Sequence, residues 1–288
     1  MRWKHAAWLL LALAACNRSP QPQPRSPQAA TPATTTAPVI AATELRDISE
    51  RGPRYMIGIS FPPELKRYPA LAAEVKRDSD TLRADFLKQS GDNVAAGASG
   101  MFDLSLAYSM VAQSPRIVAV AAEGTSYVGG AHGAPLLERY VWLLPENRRL
   151  TAAELIPDAA NWKPVSAYVR NQLMALQRQR LGEGEKTGND GDEGDAAPDA
   201  AAVEDAAARK EQLKNAVDMI EQGTEPEAEN FANFEPVLGA DGKIAALRFV
   251  FPPYQVGPYS DGTQAVEVPA SVLLPHIAPA ERGLFAGG

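Results

Sequence analysis

The amino-acid sequence predicts an α+β fold with a largely antiparallel sheet. Three observations carry that prediction. Short apolar segments come in pairs separated by turn residues, longer segments repeat apolar residues at helical spacing, and the two kinds are interleaved along the chain. Strands that arrive as hairpins, with helices between them, fold into such a sheet.

The elements follow in order. Tyr55 to Phe61 reads as a strand closed by Pro62-Pro63. Leu71, Val75, Leu82 and Phe86 then recur near the helical period, so Pro69 to Gln89 is predicted to be an amphipathic helix. Phe102, Leu104, Leu106, Tyr108 and Met110 alternate with Asp103, Ser105 and Ser109, the pattern of a half-buried strand. Ser114-Pro115 marks a turn, and the continuously apolar run Ile117 to Ala122 is its return strand. Another strand runs from Leu137 to Leu144, and stops at Pro145-Glu146-Asn147.

Trp162, Val165, Val169, Leu173 and Leu176 mark a second helix, with Arg170, Arg178 and Arg180 on a solvated face. A third turns Leu213, Val217 and Ile220 inward and stops at Gly223. Phe231 to Leu238, the turn Ala240-Asp241-Gly242 and Ile244 to Phe251 form the clearest hairpin. Val266-Glu267-Val268 is a last short strand, and Pro269 to Leu274 a last short helix.

The first 42 residues carry an address rather than a fold. Arg2, Lys4 and His5 precede an apolar run from Ala6 to Ala15, too short for the ~20 residues that span a bilayer but suited to a signal-peptide core. The run ends in Leu13-Ala14-Ala15-Cys16, which resembles a lipobox. Residues 1–15 are therefore expected to be a lipoprotein signal peptide and Cys16 the lipidated residue. Asn17 after it, instead of aspartate, points by the sorting rule to the periplasm-facing side of an outer membrane. Cys16 is the single cysteine, so no intramolecular disulfide is expected. Residues 16–42 are rich in Pro, Ser, Thr and Gln and read as an extended tether. That leaves 43–288 for one α+β domain or two subdomains. It is interrupted by the acidic stretch 182–205, which has almost nothing to bury and is expected to be disordered. Its carboxylates lack the spacing of a calcium loop. A net charge of −7 gives no support for a nucleic-acid partner. With no second long apolar run in the sequence, the lipid is the only expected membrane attachment.

Two loops at predicted strand ends are the candidate functional segments. One is Ser126 to Gly133, in which Gly129, Gly130 and Gly133 are expected to take backbone angles closed to other residues and His132 to play a structural role. The other is Pro253 to Gly262, where Tyr254, Pro258, Tyr259 and Asp261 are the candidate ligand-binding residues. Its proline stiffens a loop bearing aromatic surface with hydroxyl handles.

Gly129-Gly-Ala-His-Gly133 followed by Pro253-Tyr-Gln-Val-Gly-Pro-Tyr-Ser-Asp-Gly262 and Val268-Pro269 resembles a known family. These are the extracytoplasmic domains of the lysozyme-sensing anti-sigma factor RsiV and of the polysaccharide deacetylase PdaC, which also occur in lipoproteins. The likeness runs from about Leu45 to Ile277. It implies an RsiV-like α+β fold and an envelope binding role, with a lysozyme-like protein or peptidoglycan as partner. This chain departs from the family's pattern at Arg139-Tyr140-Val141-Trp142, where the family usually has an Asn-bearing strand, and at the acidic stretch.

Little points to catalysis. No Gly-x-Ser-x-Gly elbow and no His-Glu-x-x-His occurs, and only His132 and His276 follow Cys16. No cofactor and no metal are expected. A carboxylate pair acting on peptidoglycan or another glycan stays open as an alternative, because a fold can bring any two acids together. A structural envelope component is the other.

If Cys16 carries the anchor, Cys16→Ala should abolish acyl labelling and release the protein from the membrane fraction. A mutant that still sediments with membranes on its own would contradict the assignment.

Overall fold

Alternation along one strand sets the architecture. In the computed structural model, which describes residues 45–180 and 200–288, strand β3 (Phe102–Gln113) buries Phe102, Leu104, Leu106 and Tyr108 and exposes Ser105, Ala107 and Ser109. A bulge between Met110 and Ala112 then turns Ala112 toward the opposite side. The strand returns through Ser114, whose Oγ accepts from the backbone N–H of Ile117 at 3.1 Å. The return strand β4 (Ile117–Tyr127) is continuously apolar at its start because both its faces are covered there. Val118, Val120 and Ala122 enter one core, Ile117 and Ala119 another. Strand β5 (Ala134–Leu143) is divided in the same way, with Tyr140 and Trp142 in the first core and Val141 and Leu143 in the second.

Six strands form the larger sheet: β1 (Ile48–Arg51), β2 (Tyr55–Ser60), β3, β4, β5 and β6 (Arg148–Arg149), in that order. All its pairs are antiparallel except β2 with β3, which run parallel because helix α1 (Pro69–Ala95) carries the chain back between them. Helix α1 covers the first core with Leu71, Val75 and Phe86, and extends past the expected end at Gln89.

The second core lies on the other side of β4 and β5. A meander of β7 (Phe234–Leu238), β8 (Ile244–Phe251) and β9 (Gln264–Pro269) makes a three-stranded antiparallel sheet, its first turn closed by Gly242 at φ 74°. A short helix α2 (Ala152–Leu155) leads into helix α3 (Trp162–Arg180), which brings Trp162, Val165, Val169 and Leu173 onto this sheet. Trp162 stacks on Phe231 at 5.0 Å, and Phe231 meets Phe249 edge-on at 5.3 Å. Helix α4 (Ala200–Gly223) adds Ile220, and α5 (Ala270–Leu273) adds Leu273. The protein is thus α+β, with two sheets, and the described residues fall in one compact unit.

Several expectations are corrected. Helix α4 begins inside the stretch 182–205, because Ala200-Ala201-Ala202-Val203-Glu204 favours helix over coil. Its burial rests on Ala216 and Ile220, with Leu213 and Val217 half-buried. Phe231 closes a 3₁₀ turn (Ala228–Phe231), and the strand starts only at Phe234. Arg170 is not merely solvated: its Nε donates to Thr224 Oγ1 at 3.2 Å and ties α3 to the end of α4. The signal segment, Cys16, the tether and residues 182–199 lie outside the described residues.

The two sheets meet through buried charge. Arg139 of β5, 5 % exposed, donates to Glu235 of β7 at 2.9 Å and to Glu123 of β4 at 2.5 Å. Glu235, 8 % exposed, also accepts from Arg248 of β8 at 3.1 Å, and Arg248 reaches Glu267 of β9. Deleting one partner of a buried pair leaves the other charge uncompensated, at a cost of ~3–5 kcal/mol. Because Arg248 still faces Glu235, Arg139→Met should cost somewhat less, ~2–3 kcal/mol, in urea denaturation. Arg248→Met, whose side chain is 44 % exposed, should cost ~1 kcal/mol or less. Equal, small losses from both would contradict the assignment of Arg139 as the buried link.

Candidate functional site

The two loops singled out in the sequence come together. The first, Val128 to Gly133, joins β4 to β5. Gly129 and Gly130 turn it at φ 113° and 98°, angles that L side chains rarely adopt. Gly133 is not in that region, and a Cβ there would meet only ordinary contacts at 3.6 Å, so the left-handed requirement falls on two glycines rather than three. Asn93 of α1 donates to the Val128 carbonyl at 2.6 Å, and the Tyr127 hydroxyl donates to that of Gly130 at 3.1 Å. Together they fix the loop's path and leave His132 exposed on it.

The second loop, Pro252 to Thr263, joins β8 to β9. Its base is pinned by Val256, 2 % exposed, and by Gln255, whose Nε2 donates to the carbonyls of Gly223 and Asn230, each at 2.9 Å. Gly223 does more than stop α4. A Cβ there would lie 1.9 Å from the Gln255 carbonyl oxygen, so only glycine admits this approach. That requirement is set by a contact distant in the chain, and nothing in the local sequence announces it. Tyr254 sits at φ 73°, with its N–H donating to the Gly257 carbonyl at 2.9 Å. A bulky residue in this region stores strain of ~1–2 kcal/mol. Such strain concentrates where a structure holds a side chain for a purpose.

The side chains then meet across the gap. The Tyr254 hydroxyl and His132 Nε2 are 2.8 Å apart, and His132 Nδ1 lies 3.2 Å from the Gly133 carbonyl. A carbonyl only accepts, so Nδ1 carries the proton and donates, and Nε2 of the neutral ring accepts from the tyrosine hydroxyl. The imidazole stacks on Tyr259 with centroids 4.2 Å apart and planes 20° apart, and the two tyrosine rings are 5.7 Å apart. Tyr254 is 53 % exposed and Tyr259 37 %. The sequence reading placed His132 among structural residues of its own turn; the structure makes it the link between both loops.

Pro258 and Asp261 support this group rather than extend it. Pro258 is exposed and caps the short turn Tyr259–Asp261, accepting from the Asp261 N–H at 3.0 Å. The Asp261 carboxylate faces Arg180 at the end of α3, 3.5 Å away. His276 lies elsewhere, with Nδ1 3.4 Å from Asn161 Oδ1. Among the described residues the hydrogen-bond partners of His132 are the Tyr254 hydroxyl and the Gly133 carbonyl, not a serine, threonine or carboxylate, and no group of three or more His, Cys, Asp or Glu is placed to hold a metal ion.

Fold and site together define a two-sheet α+β domain presenting an ordered His–Tyr–Tyr surface at the ends of two hairpins. Residues 155–271 match the model of a family described as "Protein of unknown function (DUF3298)". The match covers less than half of the chain. It takes in the loop with Tyr254 and Tyr259 and leaves out the one with His132. No curated protein matches. Similar solved structures include the following two. A DUF3298 family protein from Pseudomonas aeruginosa PAO1 has 15 % identity and a TM-score of 0.48, over 84 % of this chain and 96 % of that one. A member of the same family from Bacteroides fragilis has 14 % identity and a TM-score of 0.48, over the same shares.

Proposed function

We propose that this protein is an envelope lipoprotein, anchored through Cys16 on the periplasm-facing side of the outer membrane, whose domain is a binding module without catalysis. The single observation that carries the binding reading is the exposed ring group. Tyr254, His132 and Tyr259 are ordered against one another, although all three residues are exposed to water. Aromatic residues on a rigid scaffold lose little freedom on binding, and truncating such anchors is what most weakens interfaces. Both ring nitrogens of His132 are already engaged, which favours contact over proton transfer. Among the described residues no helix is long and apolar enough to cross a membrane.

The occupant we favour is a lysozyme-like protein. This follows the resemblance of the two loops to the family that includes RsiV, and a chain of net charge −7 suits a basic partner. The second reading is a cell-wall glycan, favoured by one feature: rings within 20° of coplanar at 4.2 Å present flat faces on which a sugar can stack.

The test is capture of lysozyme, and separately of purified peptidoglycan, by the soluble domain. Tyr259→Ala should weaken capture by ~1 kcal/mol or more, about fivefold, while the melting temperature stays within ~3 °C. Tyr254→Gly should bind poorly yet melt no lower than wild type, because glycine relieves the strain at φ 73°. A variant that keeps full capture, or one that loses stability in step with binding, would make the ring group structural.

A further inference from the structure

Helix α1 leaves one part of the larger sheet open. Between α1 and β5 is a cavity of about 340 Å³, walled by Leu82, Leu106 and Leu136, with Ala122 as the small side chain that leaves the space. Two tyrosines reach into it, Tyr108 and Tyr140, which are 6 % and 2 % exposed. Their rings are fixed from behind. Phe61 stacks on Tyr108 at 5.0 Å, and the Arg149 guanidinium lies 4.6 Å from the Tyr140 ring centre. At the mouth are two half-exposed carboxylates, Asp78 of α1 and Glu138 of β5. Asp78 accepts from the Tyr140 hydroxyl at 3.1 Å, and Glu138 pairs with Arg149.

The chemistry of the cavity is asymmetric. Burial raises both phenols above their ordinary range, so they stay neutral donors. Around them the four carboxylates Asp78, Glu138, Asp80 and Glu74 face three cations, Arg149, Arg77 and Lys76, the last paired with Asp80. An anion would face these carboxylates, and a wholly polar solute would leave the three leucines without a partner. We propose that this cavity binds a small organic cation, a protonated amine on an apolar body, with the ammonium between Asp78 and Glu138 and the body against Leu82, Leu106 and Leu136. The site shares no residue with the His132 group and stands or falls apart from it.

The probe is n-hexylamine at neutral pH, titrated calorimetrically into the full chain, with 1-hexanol and hexanoate as controls. The amine should bind saturably, at least tenfold more tightly than either control. The double substitution Asp78→Asn with Glu138→Gln should weaken it at least tenfold. Ala122→Leu should abolish it by filling the cavity. A thermal melt of each variant shows that the fold is kept, and if Ala122→Leu unfolds, the near-isosteric carboxylate variants still decide. No binding to the folded wild type, equal binding of hexanol, or unchanged affinity in the carboxylate variant would overturn the proposal.

Discussion

The guanidinium of Arg139 is held almost out of water, and that is tolerable only because carboxylates meet it from two sides. A charge this buried costs several kcal/mol to desolvate unless its hydrogen bonds are satisfied. Glu123 and Glu235 satisfy them, and Glu235 passes the constraint through Arg248 to Glu267. The strands joined in this way are β4, β5, β7, β8 and β9. Four of these carry the two candidate loops: β4 and β5 hold the one with His132, and β8 and β9 the one with Tyr254 and Tyr259. Arg139 lies six residues beyond Gly133, and Glu267 three beyond Gln264, where β9 begins. The strands that bring the rings together are therefore tied by one charge network, buried at Arg139 and Glu235 and exposed at Arg248 and Glu267.

This also explains what the sequence could show. Alternation in Phe102 to Met110 and the unbroken apolar run Ile117 to Ala122 revealed the hairpin, because burial on one face and on two faces leave different patterns. The turn Ala240-Asp241-Gly242 likewise revealed β7 and β8. The division into two sheets was not legible, since it depends on which strands share a core and not on any local pattern. Arg139 was visible only as a departure from a family's usual strand; its burial requires Glu235, 96 residues away. The start of α4 was hidden by acidic composition, which suggested coil where an alanine-rich run forms helix. At the site, both loops were legible from glycine, proline and tyrosine content. Their meeting was not, because a hydrogen bond between residues 122 positions apart has no sequence signature.

The ring group has features that core packing alone does not require. A core tyrosine is covered and unstrained, whereas Tyr254 is the more exposed of the group's two tyrosines and holds a left-handed backbone. Its hydroxyl is spent on His132, and His132 in turn fixes the face that Tyr259 presents. Each ring constrains the next, so the surface is one object built from two loops.

A double-mutant cycle tests that claim most directly. His132→Ala and Tyr259→Ala, singly and together, are compared for capture of lysozyme and of peptidoglycan by the soluble domain. If the loops act as one surface, the two losses are not additive, and the coupling is ~0.5–1.5 kcal/mol, the range of a stacked aromatic pair. Additive losses, or no loss from His132→Ala at all, would mean that the loops meet without acting together, and would contradict the account.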